Sequence, residues 1–380
     1  MPTYAHITGW GMAVPERIMT NDDLAKIVDT SDEWIVSRTG IRERRIAGDK
    51  ETTASLATKA AFRALDRTDL HPHDIDMVIV ATATPEHLFP ATACLVQDAI
   101  GAINAGAFDL SAACSGFIYG VSLASEAIRG GAIRNAVVIG SETLSRFIDW
   151  DDRETCILFG DGAGAIVLQA SERPGGILAS VMRADGSGGN LLSIPAGGSR
   201  RPATVETVHK KQHYIQMNGR EVFRFATRVM ADATRQVAEK ARLRIEDLSI
   251  IIPHQANRRI IEAAARGLDL PMDRFFVNLD RYGNTSSASI PMAVVEAVEA
   301  GRITPGSRVV MVGFGAGLTW GALAVEWVAP ERKISQAKRQ QRRLRARFWG
   351  LRSVYRRFVR WIEGLIFGAH VPGDENDRFS

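Results

Sequence analysis

Cysteine is scarce in this chain: Cys94, Cys114 and Cys156 are the only three among 380 residues, and no two stand at a disulfide-framework or metal-ligand spacing. A disulfide scaffold and a cysteine zinc site are thereby excluded, no metal is expected, and the count suits a reducing cytoplasm. Cys94 and Cys156 read as core positions. Long apolar runs are missing as well. None reaches the roughly 18 residues of a membrane-spanning helix, and the N-terminus has no charged segment followed by an apolar one, so neither membrane insertion nor export is expected. Charge of one sign is scarce outside the end of the chain. Residues 331–380 hold 13 Lys and Arg against 5 Asp and Glu, about +8, whereas the whole chain is only +4, which leaves residues 1–330 near −4. With a mildly acidic body, no nucleic-acid partner is expected.

What is present is ordinary soluble composition, 46% apolar and 24% charged, in a chain long enough for two or three domains. Short apolar runs at residues 76–82, 136–140, 248–252 and 308–313 alternate with helical patterns at 52–65, 93–100, 117–128 and 221–241. Buried strands spaced by helices read this way, which predicts an α/β fold. Residues 5–11 read as a first strand with a glycine turn at Gly9 and Gly11. The runs at 76 and 248, and those at 137 and 309, repeat at an offset of roughly 172 residues, which predicts two duplicated halves and carries Cys114 onto Ser286. The expected organisation is residues 1–170 and 220–330 as the halves, 171–219 as connecting loops and excursions, and 331–380 as a basic tail. Gly160, Gly162 and Gly164 tempt a phosphate-loop reading. No Lys-Ser/Thr pair follows them and a strand stands where a helix is needed, so they read as tight backbone packing.

Cys114 lies between a short strand at 106–108 and the helical pattern from Phe117, flanked by Ala112, Ala113, Ser115 and Gly116. Small neighbours admit a substrate, and the N-terminal end of a helix favours a thiolate. Taken alone, a free cysteine is more often an inert buried hydrophobe. His254 follows the run 250–252 at a strand's carboxyl end, where open α/β folds place functional groups, although a histidine there can be structural. Asn284, within Gly283-Asn284-Thr285-Ser286, is a neutral donor or a turn residue. Residues 314–321 form a glycine-rich turn whose N–H groups suit an oxyanion. Trp34 and Arg38 stand one helical turn apart beside the cation-rich stretch 37–45, where they can hold a purine and a phosphate or form a solvated surface. Cys, His and Asn with an N–H-rich turn describe acyl transfer through a thioester.

Residues 30–44, 109–117, 159–165, 253–259, 283–289 and 315–321, in that order, resemble the motifs of the β-ketoacyl-acyl carrier protein synthase III family, over roughly residues 4–328. The resemblance implies a thiolase fold, five-layered αβαβα, and a homodimer. It implies decarboxylative condensation of an acyl-CoA primer with malonyl-acyl carrier protein, initiating fatty acid synthesis, with the CoA thioester as substrate and no cofactor. It further implies Cys114 as nucleophile, His254 and Asn284 as partners of the enolate, and the N–H groups of Cys114 and Ala316 as oxyanion hole. Trp34, Arg38, Arg153 and Asn257 would meet CoA. Gln255, Ala256, Asn257, Arg258 and Arg259 would meet the carrier protein, and Phe89 would reach the acyl pocket of the second subunit. Ala316 stands where the family often has glycine, which narrows the expected pocket. A Cys-His-Asn acyltransferase or condensing enzyme of secondary metabolism fits the same motifs. A non-catalytic scaffold is the reading from another class.

In the tail, Leu344, Phe348, Leu351, Tyr355, Phe358, Ile362 and Leu365 recur at spacings of four and three with arginines off that seam. A basic amphipathic helix is expected over 344–366. It packs on the body or the dimer partner, lies on an anionic membrane surface with Trp349 and Trp361 as anchors, or pairs as a coiled coil.

Overall fold

The structure, a computed structural model, describes residues 2–328 together with residues 358 and 359. The tail helix expected over 344–366, apart from those two positions, lies outside the described residues, as do its membrane and coiled-coil readings.

Nine strands form two sheets: β1 (Tyr4–Ala13), β2 (Met77–Ala81), β3 (Gly106–Leu110), β4 (Asn135–Thr143), β5 (Asp161–Ser171), β6 (Gly176–Ala184), β7 (Ile250–Pro253), β8 (Arg308–Gly315) and β9 (Thr319–Glu326). The first sheet runs β1-β5-β4-β2-β3, and the second runs β6-β9-β8-β7. In each, a parallel pair (β4 with β2, β8 with β7) is followed outward by two antiparallel strands. The repeat inferred from the apolar runs is thus a repeat of sheet topology.

The helices that cover these sheets are α1 (Asp32–Thr39), α2 (Thr53–Leu65), α3 (Thr92–Ile100), α4 (Gly116–Arg129), α5 (Gly219–Lys240), α6 (Arg258–Leu268) and α7 (Ser289–Glu299). Successive strand residues point to opposite faces, so one apolar run serves two cores. Val78, Val80, Val137 and Ile139 pack on α2 and α3. Ile79, Ala136 and Val138 face the other way, onto α4 and α7, and Ile250, Ile252, Val309 and Met311 of the second sheet close on the same pair. Ile251, Val310 and Val312 face outward onto α5 and α6. The order helices, sheet, helices, sheet, helices is the five-layered αβαβα arrangement, and α4 and α7 are buried because both sheets cover them.

Three expectations change. No turn occurs at Gly9 or Gly11, because β1 continues through both, with a register shift in its pairing between Ile7 and Gly9; a Cβ on Gly11 would stand 2.6 Å from the Ala60 carbonyl oxygen, so the glycines let α2 lie against the strand. The segment read as loops, 171–219, contains β6, whose apolar residues Ile177, Leu178, Ala179, Val181 and Met182 are broken by Ser180 and end at Arg183, so that no apolar run in it exceeds three residues. Cys94 is exposed on α3 beside β3, an edge strand that leaves Phe108 exposed, whereas Cys156 is buried as expected.

Candidate active site

Two elbows enter the central helix layer. Ala113, at φ 46°, opens a short 3₁₀ turn into α4, and Ser286, at φ 48°, opens another into α7. Both are non-glycine residues in the left-handed region, a strained conformation that recurs at functional sites. They stand 173 positions apart, so the counterpart of Cys114 is Ser287 and not Ser286. Apolar runs define a repeat only to within a residue. Ser287 is fully buried, and its hydroxyl, with one proton to share, lies 2.8 Å from both Glu142 Oε1 and the Ala81 carbonyl oxygen. Glu142 also receives the hydroxyls of Thr84 (2.7 Å) and Thr82 (3.2 Å) and the N–H of Ala83. Burial raises its carboxyl above the usual range while these donors act against the rise.

A cavity of about 90 Å³ between the halves is lined by Cys114, His254, Asn284, Phe314 and Gly315, together with residues of α5 and α6. Cys114 arrives from the elbow before α4, His254 from the end of β7, and Asn284 from the loop before α7. A larger cavity of about 560 Å³, walled by Arg67, Arg134 and Arg173 but also by Asp69 and Glu172, contains none of the three. Size therefore does not select the site; the convergence of a nucleophile with two polar groups does.

Burial pushes the Cys114 thiol up to about 12; a hydrogen bond from the Ser286 hydroxyl opposes this, the nearby Glu142 carboxylate adds to it, and the residue's own N–H opposes it. The thiolate expected from the helix end is therefore outweighed, and the resting group is a thiol. His254 is 1% exposed, and burial pushes it down to about 3, so the ring is neutral. Its backbone N–H is held by the Val312 carbonyl at 2.7 Å, its Nδ1 lies 2.6 Å from Ser289 Oγ, and its ring meets Phe314 edge to face at 5.3 Å. Asn284 accepts the Ser286 N–H on Oδ1 at 2.8 Å, which leaves its NH2 group to donate. Its backbone is pinned to Leu158 and Gly160. At the end of β8, a Cβ on Gly315 would stand 2.7 Å from the Cys114 nitrogen, so glycine keeps that N–H open. Ala316, half-buried, follows in the turn.

Trp34, Arg38, Arg153 and Asn257 do come together. The guanidinium of Arg153 lies 4.9 Å and that of Arg38 5.6 Å from the Trp34 ring centre, and Asn257 Nδ2 donates to the Arg38 carbonyl at 3.0 Å. Arg44, from the same cation-rich stretch, is wholly buried and donates to the Met19 and Ile157 carbonyls and to Asn21, so it braces the loops and meets no ligand. Arg258 and Arg259 are exposed at the start of α6, capped by Asn257. Gln255 is not a surface contact: it is 1% exposed, its amide NH2 donates to the Pro253 and Phe276 carbonyls, and its oxygen accepts the Asn278 N–H. Ala256 lines the cavity. Phe89 is 86% exposed and does not line this subunit's own cavity.

Reading the sequence missed Ser289, Ser287 and Glu142. Their signals were a hydroxyl-dense run at 285–289 and an acid closing a buried strand. Among the described residues, no cluster of His, Cys, Asp and Glu is placed to hold a metal ion, and no helix is long and apolar enough to cross a membrane.

Family models named for 3-oxoacyl-[acyl-carrier-protein] synthase III match residues 108–186 and, for its C-terminal part, residues 238–327. The β-ketoacyl-[acyl-carrier-protein] synthase III of Roseiflexus sp. (strain RS-1) is 53% identical over 329 residues, 87% of this chain and 100% of that protein. The enzyme of the same name from Symbiobacterium thermophilum is 57% identical over 321 residues, 84% of this chain and 97% of the relative. The crystal structure of 3-oxoacyl-[acyl-carrier-protein] synthase III from Aquifex aeolicus VF5 superposes with a TM-score of 0.79 at 48% identity, covering 85% of this chain and 100% of that one.

Proposed function

The chain belongs to the β-ketoacyl-[acyl-carrier-protein] synthase III family, and on that premise we propose the roles of its residues. Its reaction is the condensation of an acyl-CoA with malonyl-acyl carrier protein, the step that initiates fatty acid synthesis. The observation that carries the assignment is the one cavity on which Cys114, His254 and Asn284 converge from three separate elements. Cys114 attacks the acyl-CoA carbonyl, forming an acyl thioester as CoA leaves. The malonyl group then loses carbon dioxide, and His254 and Asn284 donate hydrogen bonds to the enolate oxygen where charge develops. The enolate carbon attacks the acyl-Cys114 carbonyl, and the N–H groups of Cys114 and Ala316 hold the tetrahedral oxyanion. All of this is thioester chemistry, so the mechanism calls for no cofactor.

Trp34, Arg38, Arg153 and Asn257 receive the nucleotide end of CoA, with the ring and guanidinium planes offered for stacking. Arg258 and Arg259 meet the acidic carrier protein. A second copy of the chain covers the free edge of β3, where Leu88, Phe89, Leu95 and Phe108 are exposed, and Phe89 enters the other subunit's pocket. Three free cysteines fit a reducing cytoplasm.

The test is incubation with acetyl-CoA followed by intact mass. An acetyl adduct is expected in the wild type and absent from Cys114→Ala. Failure to form an adduct with any acyl-CoA would remove the catalytic reading and leave a scaffold.

A further inference from the structure

We infer that Ser289 is a positioning residue that fixes the tautomer of His254, keeping the proton on Nδ1 and leaving Nε2 bare. The inference rests on the catalytic reading of His254 given above. Ser289 is 2% exposed at the first position of α7. Its Oγ lies 2.6 Å from His254 Nδ1 and 2.8 Å from the Ser286 carbonyl oxygen. A carbonyl brings no proton and a hydroxyl brings one. The contact with Ser286 takes the hydroxyl proton, so the contact with His254 must be filled from the ring, by Nδ1–H donating to Oγ. The opposite tautomer would turn the hydroxyl toward Nδ1 and leave two oxygens facing each other, lone pair to lone pair, at 2.8 Å. The ring is neutral, so it carries a single proton, and Nε2 presents a lone pair to the cavity that it shares with Cys114.

A bare Nε2 gives the histidine two successive tasks. As the Cys114 sulfur bonds to the acyl carbonyl carbon, Nε2 takes the thiol proton. The carbon–sulfur bond to CoA breaks, and CoA departs as a thiolate that takes a proton from solvent. When the malonyl carbon–carbon bond breaks and carbon dioxide leaves, the new Nε2–H donates to the enolate oxygen. The enolate carbon bonds to the acyl carbon, the bond from that carbon to Cys114 breaks, and the departing thiolate recovers its proton from Nε2. One proton is lent and returned within the site, and the one consumed overall is that taken by CoA. Because the Cys114 thiol rests protonated, a base beside it is what acylation requires.

The test uses full-length protein labelled with ¹⁵N-histidine, with the His254 resonances identified by their loss in His254→Gln. The wild type is expected to show a protonated Nδ1 and an imine-type Nε2. In Ser289→Ala the proton should move toward Nε2, and acylation by acetyl-CoA should slow by about tenfold or more, a part of the roughly 10²–10⁴-fold that a general base supplies. Ser289→Thr, which keeps the hydroxyl, should restore both readouts. A wild-type spectrum with the proton on Nε2 overturns the inference, and so does a Ser289→Ala enzyme with unchanged tautomer and wild-type acylation. If Ser289→Ala does not fold, the wild-type spectrum decides by itself. If no acyl-CoA acylates the wild type, the catalytic reading fails, and the spectrum still decides the tautomer.

Discussion

The two elbows share a backbone and differ in use. Ala113 and Ser286 adopt the same left-handed conformation and lead by the same short turn into the two central helices. The residue after each then diverges. Cys114 borders the cavity, whereas Ser287 is sealed against Glu142 and Ala81 of the opposite half. Their strands diverge in parallel: Gly140 and Gly313 occupy equivalent places in β4 and β8, yet a Cβ on Gly140 would collide with the Ser287 carbonyl, while one on Gly313 would lie 3.5 Å from the Cys114 carbonyl oxygen. The duplication thus supplies one strained turn twice. The first copy carries the thiol that borders the cavity, and the second clamps the halves together and presents Asn284 from its leading edge.

The comparison can be broken most strongly at the polar edge of the second elbow. Asn284→Ala is expected to lower kcat/KM for condensation by about 10²–10³-fold, the usual loss for one oxyanion donor, with acylation from acetyl-CoA reduced far less. Equal loss in both half-reactions would mean that the second elbow also serves the sulfur step. A smaller effect separates the equivalent glycines. Gly140→Ala should destabilise by about 3 kcal/mol through overpacking against backbone that cannot yield, and Gly313→Ala by less than about 1.5 kcal/mol. Urea unfolding midpoints of the two variants measure this, and equal values would show that the elbows are clamped alike. A cost below that of Gly140→Ala is expected from Ser287→Ala, which takes one donor from buried Glu142 and should cost about 1–2 kcal/mol while leaving the acyl adduct in place. Loss of the adduct in a folded Ser287→Ala protein would put catalysis, and not only clamping, on that residue.

Much of the fold was legible because buried strands in a doubly covered sheet are short and continuously apolar, as at 136–140 and 308–313. β6 was not, since Ser180 and Arg183 break its apolar residues into runs too short to stand out. Cys94 looked like core because composition cannot distinguish a central element from one beside a sheet edge. Gln255 was expected at the carrier-protein surface only through the resemblance, yet the chain turns there and its amide closes three backbone groups. The three residues that border the cavity were legible as candidates from their local settings: a cysteine before a core helix, a histidine ending a strand, an asparagine in a loop of small residues.

By itself the sequence determined the strand and helix order, the approximate repeat and the candidates for the reacting groups, because local pattern and side-chain chemistry are properties of contiguous residues. Only the tertiary structure decided the protonation of those groups. Cys114 rests as a thiol and His254 as a neutral ring because layers distant in sequence exclude water from both. The hydrogen bonds that orient His254 and Asn284 come from one turn, at 286–289, which folding brings to the end of β7. Desolvation and hydrogen-bond direction depend on what surrounds an atom in space, and that surrounding exists only once both halves have closed on each other.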